Sequence, residues 1–287
     1  FILGHEILQL ISLSDFRPCH LLLIYTILNL DKAFINNIME ITYAEQTVSL
    51  FDTFLPNKVL LSLSGGLDSA CLFFLICKHF PDMEIIPFTA KNVRAPFDAE
   101  RAEDITQWMK KQFPKNKISL REEFTYDHSD EYWIEQAKIR WEDEFVLVNG
   151  KRVPRCNSIG GLVKMLTLRH ETNKLIKKHD CIKVSGQTSN PPVEEQKKYN
   201  FYHLAERRRD GPNENKKTLG KNSYSPFVHI DKKFIADFYE KNDLMETLYP
   251  LTGSCIGGVT KTDYFTKECR DCFWCHEKKW AFNLIWN

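Results

Sequence analysis

The sequence predicts an α/β fold: a parallel sheet with helices on both faces, followed by a small metal-bound tail. Three observations predict it. From Lys58 onward, short apolar runs of β character alternate with longer helical stretches, the pattern of a sheet built by crossovers. A Gly-rich loop sits between the first of those strands and the first helix. The segment from Leu251 is too short for its own core but is dense in cysteine, so a metal is expected to order it.

The elements follow in order. Val59–Leu63 is a buried strand, bounded by Pro56-Asn57 and Gly65-Gly66. Asp68–His79 is helical and apolar all round. Glu84–Phe88 reads as a second buried strand. Ala99–Phe113 is an amphipathic helix that stops near Pro114. Lys117–Leu120 reads as a third strand. Asp130–Phe145 reads as a helix, with Trp133, Ala137 and Trp141 four apart on one face. Asn149-Gly150 signals a turn. Ser158–Lys178 is another amphipathic helix, Cys181–Ser185 the next strand, and Asp231–Asn242 the last clear helix. Glu194–Asn222, with Arg207-Arg208-Arg209, is polar throughout and reads as a long loop over the site or a solvated surface loop.

Three segments are therefore expected: residues 1–38, an α/β domain over 39–250, and a Cys-rich tail over 251–287. The first Met is Met39. Residues 1–38 are expected to be either a translated upstream region or a helical extension. No run of apolar residues is long enough to span a membrane.

Composition narrows the function classes. Hydrophobic residues make up 43%, enough for a real core, which excludes a wholly disordered chain. Lys+Arg total 39 against Asp+Glu 38, for a net charge of +1. No global basic field draws the chain onto nucleic acid, which favours a small-molecule substrate over tRNA. Nine cysteines fit a closed disulfide framework poorly, because the number is odd. They are expected to be reduced, in a cytoplasmic protein, with some of them as ligands.

Ser64-Gly65-Gly66-Leu67-Asp68-Ser69 is the strongest motif. Two glycines let backbone approach a ligand closely, and a helix N-terminus follows with free N–H groups and a positive dipole end. Ser64 and Ser69 add hydroxyls. Asp68, acidic beside an anion site, is expected to hold Mg²⁺ against the phosphates. The Lys-Ser/Thr ending of the common P-loop is missing. In the tail, Cys269, Cys272 and Cys275 lie at i, i+3 and i+6, with Cys255 upstream in Gly253-Ser254-Cys255. Four thiolates from two short segments suit tetrahedral Zn²⁺, and an iron–sulfur cluster is the other reading. Cys71, Cys77 and Cys181 look structural.

The loop resembles the SGGxDS signature of the PP-loop ATP pyrophosphatases. With the C-x₂-C-x₂-C ending, the chain is most similar to the 7-cyano-7-deazaguanine synthase (QueC) family. Val153-Pro154-Arg155-Cys156-Asn157, Ser185-Gly186-Gln187-Thr188, and Pro226-Phe227 with Lys232-Lys233-Phe234-Ile235 resemble further islands of that family. The resemblance implies an adenine nucleotide alpha hydrolase-like (HUP-type) sheet and an ATP-dependent ligase. Its reaction would convert a 7-deazaguanine-like carboxylate and ammonia to a nitrile, with release of AMP and pyrophosphate. By resemblance, Asp68 and Arg155 carry catalysis, and Ser64, Gly65, Gly66, Leu67, Asp68, Ser69, Asn157 and Gly186 bind ATP and Mg²⁺. Cys255, Cys269, Cys272 and Cys275 hold Zn²⁺, and a homodimer is compatible with the family. Here Cys156 separates Arg155 from Asn157, and Ser189-Asn190-Pro191-Pro192 replaces the family's Asp- and Tyr-containing stretch. Two alternatives stay open. One is a sulfur-transfer enzyme of the same superfamily, acting on a sulfonucleotide or tRNA through Cys156 or a tail cysteine. The other is a non-catalytic nucleotide-binding module with the tail as a docking surface.

Overall fold

The computed structural model describes residues 39–52, 54–93, 97–148, 151–154, 156, 158–198, 219–255, 259–263 and 267–284. The chain divides into Phe1–Met39 and Glu40–Asn287, and the sheet and the cysteine tail both belong to the second unit. The expectation for residues 1–38 lies outside the described residues, as does most of the polar Glu194–Asn222 segment with Arg207–Arg209.

β1 (Met39–Tyr43) and β2 (Gln46–Leu50) form a two-stranded hairpin. Its turn holds Ala44 and Glu45 at φ 47° and 60°, the pairing that follows the twist of the strands. Then come β3 (Lys58–Ser62), α1 (Leu67–His79), β4 (Glu84–Asn92), α2 (Phe97–Gln112) and β5 (Glu122–Tyr126). After these run α3 (Glu131–Arg140), β6 (Phe145–Val148), β7 (Lys151–Pro154), α4 (Ile159–His179) and β8 (Ile182–Ser185). The described chain continues through α5 (Val193–Lys197), β9 (Ser223–Tyr224), α6 (Lys232–Lys241), α7 (Val259–Thr262) and α8 (Phe273–Ala281).

The main sheet has the order β5-β4-β3-β8-β9, with every neighbouring pair parallel. Val59, Leu60 and Leu61 of β3 are fully buried, as expected for a central strand covered on both faces. On one face Leu60, Ile86 and Phe88 meet Phe124 and three α4 residues, Leu168, Leu175 and Ile176. On the other, α1 packs on β3 and α2 on β4. α1 also packs against α2 and α6. This explains why it is apolar all round, from Ala70 to Cys77, instead of on one stripe.

The chain walks outward from β3 to β4 to β5, then returns and continues on the other side of β3 with β8 and β9. β3 and β8 are therefore neighbours whose exits lead to opposite sides. A crevice opens beyond their carboxyl ends at such a switch point, and ligands of open α/β sheets bind there.

Two sequence expectations shift. The third strand is Glu122–Tyr126, not Lys117–Leu120. Of the expected stretch, Ile118 bridges Ile85, but Leu120 is 85% exposed. The helix expected over Asp130–Phe145 ends at Arg140, and Phe145 begins a strand. Asn149-Gly150 stands between the paired strands β6 and β7. The Trp133–Ala137–Trp141 face is as expected: it packs with Leu162, Val163 and Leu166 of α4. Among the described residues no helix is long and apolar enough to cross a membrane.

Candidate functional site

The Ser64–Ser69 loop leaves β3 at the switch point. Gly65 has φ +73°, and a Cβ there would lie 2.7 Å from the Asp98 carbonyl oxygen, so only glycine fits. Gly66 is the N-cap of α1 and supplies no side-chain cap. The first N–H groups of the helix are thus left to a ligand. Ser69 Oγ donates to the Gly66 carbonyl at 3.0 Å and accepts from the Ser64 N–H at 3.3 Å, which closes the loop on itself. Leu67 is buried; it can reach a ligand only through its main chain.

β8 delivers the second glycine loop beside the first. Gly186 runs directly over the start of α1: a Cβ there would stand 2.5 Å from the Asp68 carbonyl oxygen. The residues that follow, Thr188, Ser189 and Asn190, are buried although polar. Ser189 N–H donates to the Ile230 carbonyl at 2.7 Å and Ser189 Oγ to the Val228 carbonyl. Those bonds anchor the loop to the segment leading into α6. Asp231 caps α6 by accepting from the Lys233 N–H. The β1–β2 hairpin braces the same helix: Gln46 Nε2 donates to Asp231, and Ala44 N–H donates to the Asp237 carboxylate at 2.6 Å.

This scaffolding carries Lys232 into the crevice. Its side chain is 4% exposed, and Nζ meets Asp68 Oδ1 at 2.5 Å and lies 3.8 Å from Glu277 Oε2. Glu277, on α8 in the tail, is 1% exposed. Thr188 Oγ1 donates to the other Asp68 oxygen at 3.3 Å. One ammonium therefore stands between two carboxylates, with Lys232 and Glu277 shielded from solvent and Asp68 21% exposed to the cavity above. A cavity of about 370 Å³ opens over this cluster, lined by Ser64, Asp68, Ser69, Gly186, Lys232 and Glu277 among others. Lys183 and Trp274 also border it. Lys183 is a cation on an inner strand, and burial holds its ammonium below the usual lysine range. The pocket has N–H groups, hydroxyls and ammonium groups for an anion and a carboxylate for a cation, the complement of a metal-bound polyphosphate.

The four tail cysteines converge. Their Sγ atoms all lie within 4.8 Å of one another, and Cys269 Sγ is 3.9 Å from Cys275 Sγ. Tetrahedral Zn–S bonds of about 2.3 Å would hold sulfurs about 3.8 Å apart, so the set fits a single ion. The Cys269 N–H points at Cys255 Sγ (3.2 Å) and the Cys272 N–H at Cys269 Sγ (3.3 Å), donors that favour thiolate. Contact with Cys272, then burial, pushes the Cys275 thiol far above its ordinary range. Four thiols this close ionise together only around a cation.

Of the other expected site residues, Arg155 and Asn157 lie outside the described residues. Cys156 packs in the α3–α4 cluster with Leu162. Cys71 and Cys77 are buried in α1, and no cysteine lines the cavity among the described residues. Lys232 and Glu277 are site residues that sequence alone does not assign. Lys232 stood within the Pro226–Ile235 resemblance, whereas Glu277 carried no sequence signal.

No protein-family model and no curated protein matches the chain. Among solved structures the chain is similar to an NMN synthetase from Francisella tularensis, with TM-score 0.37 and 13% identity over 80% of this chain and 88% of that one. It is also similar to the U34-tRNA thiolase NcsA from Methanococcus maripaludis, solved with its 4Fe–4S cluster (TM-score 0.39, 12%, 79% and 70%). A third is the NH₃-dependent NAD synthetase from Campylobacter jejuni (TM-score 0.36, 12%, 74% and 73%). At these scores and identities the likeness carries no argument about activity.

Proposed function

We propose that the chain is an ATP-dependent enzyme that adenylates a small-molecule carboxylate, with a QueC-like ligase reaction as the specific form. The observation that carries this reading is the Lys232–Asp68 pair beneath an uncapped helix N-terminus, at the switch point between β3 and β8. In the reaction, a carboxylate oxygen of the substrate forms a bond to the α-phosphorus of ATP, and the bond to pyrophosphate breaks. Ammonia then attacks the acyl carbon, AMP and a proton leave, and the product is the amide. The nitrile requires a second ATP, whose AMP is attached to the amide oxygen with release of pyrophosphate and then departs carrying that oxygen. The Gly65–Ser69 loop and the N-terminus of α1 bind the pyrophosphate portion, and their preorganised donors stabilise the charge that develops there. Lys232 adds its ammonium to that charge. Asp68 is the residue that would hold Mg²⁺, which supplies charge neutralisation of the phosphates when bound.

The four cysteines would hold Zn²⁺ as a structural ion, consistent with a reducing, cytoplasmic setting. A sulfur-transfer reading stands beside this one because four clustered thiols also suit an iron–sulfur cluster; a cubane would hold the sulfurs farther apart than they are here. A substrate screen read by pyrophosphate release tests the proposal. Release that requires 7-carboxy-7-deazaguanine and ammonia supports the ligase. Thiolated tRNA or sulfite as product, with iron in the purified protein, overturns it in favour of sulfur transfer.

A further inference from the structure

Two contacts join the cysteine cluster to the phosphate cavity, one from each side of the cluster. Gly253, two residues before Cys255, donates its N–H to the Gly65 carbonyl at 2.9 Å. Glu277, two residues after Cys275, lies 3.8 Å from Lys232 Nζ. Between Cys272 and Cys275, Trp274 forms part of the cavity wall. α8 has 9 residues, and its N-cap is Cys272, which provides no side-chain cap. A helix that short does not hold itself together in water. Its first turn is fixed by the meeting of Cys272 and Cys275 with Cys255 and Cys269, and its body rests on α6.

We infer that the four-cysteine centre is a condition of nucleotide binding, with Glu277 as the positioning residue that transmits it. The inference rests on the reading of the cavity as an ATP site. With the thiols gathered on one ion, the segment at Gly253 holds the back of the phosphate loop, and α8 presents Trp274 and Glu277 to the cavity. When Asp68 engages the cation that accompanies the phosphates, Glu277 remains as the carboxylate that keeps Lys232 compensated and aimed. When the thiols separate, α8 loses its start, and Lys232 keeps Asp68 as its carboxylate partner. Asp68 and Lys232 then occupy each other instead of the ligand. The cysteine tail is thus part of the ATP site and more than a stabilising appendage.

The test uses the full chain. Binding of Mg·ATP is measured by calorimetry on metal-loaded protein, on protein stripped with a chelator that is then dialysed away, and on stripped protein re-supplied with Zn²⁺. Stripping should weaken binding about tenfold or more, and zinc should restore it, while far-UV circular dichroism of the sheet stays unchanged. Glu277→Gln in metal-loaded protein should weaken binding by a similar factor at wild-type metal content, and Glu277→Asp should recover part of it. This variant decides the matter if stripping unfolds the tail. Equal Mg·ATP affinity in loaded and stripped protein, or a Glu277→Gln variant that binds as wild type, overturns the inference and leaves the ATP reading standing. Absence of Mg·ATP binding in every form overturns both.

Discussion

Lys232 holds its ammonium between Asp68 and Glu277 with almost no solvent around it. Removing it leaves the buried Glu277 carboxylate without this cation and beside the partly exposed Asp68 carboxylate. Breaking a buried pair costs far more than never having made one. Lys232→Met should therefore lower stability by about 3 kcal/mol in urea denaturation. Adding Glu277→Gln should recover part of that stability, while pyrophosphate release stays lost in both variants. Gly186 is as constrained for a steric reason. Its backbone lies against the Asp68 carbonyl, so Gly186→Ala must push the second loop off α1. A destabilisation of about 2 kcal/mol and weakened Mg·ATP binding are expected, read by thermal melting and calorimetry. The conformation of the Ser64–Ser69 loop was legible in sequence because its six residues are contiguous and their conformational demands local. The Lys232–Glu277 contact was not, since a buried ion pair joins residues that nothing local connects. Cysteines divide in the same way. Burial raises the Cys71 thiol and pushes Cys77 up to about 12. Neither should react with a thiol reagent at about pH 8 until the protein unfolds.

At the scale of elements, β5 shows why a strand can hide. Its sequence, Glu122-Glu123-Phe124-Thr125-Tyr126, begins with two carboxylates and looks unlike a buried strand. It is the edge of the sheet, where charge is tolerated and discourages pairing with other chains. Each carboxylate has a partner: Glu123 meets Lys91 and Arg121, and Glu122 meets Lys178 and His179 at the end of α4. The apolar Lys117–Leu120 stretch, which looked more like a strand, makes a single bridge and turns Leu120 to solvent. Apolar content thus marked the inner strands well and the edge badly. The hydrogen bond from Lys178, helped by His179, holds the Glu122 carboxyl below its usual range. A depressed carboxylate contributes stability above the unfolded pKa of about 4.3 and loses it as pH falls through the folded value. Partial exposure keeps the contribution small. Glu122→Gln should cost about 0.5 kcal/mol at neutral pH, and the gap to wild type should close towards about pH 3 in urea melts.

For the whole molecule, alternating strands and helices made a parallel sheet legible. The order of its strands was not, because pairing of β3 with β8 is decided by packing across more than a hundred residues of intervening chain. That pairing creates the switch point and hence the place of the site. The tail likewise announced its cysteine cluster through spacing but not its contact with the Ser64–Ser69 loop. Metal analysis of purified protein should find about one zinc per chain, and stripping it should make the four tail thiols titratable. Iron with visible absorbance would instead move the molecule towards sulfur transfer.

The bonds that define the pocket join residues far apart in the chain: 120 positions separate Asp68 from Thr188, and 164 separate it from Lys232. Glu277 comes later still. A ribosome that has released β3 and the phosphate loop has therefore made only the cradle. The ammonium arrives only 164 residues after Asp68, and its second carboxylate later than that. A nascent or truncated chain that stops short of Lys232 carries the Ser64–Ser69 loop without the ammonium that pairs with Asp68, so the pocket described above does not yet exist in it.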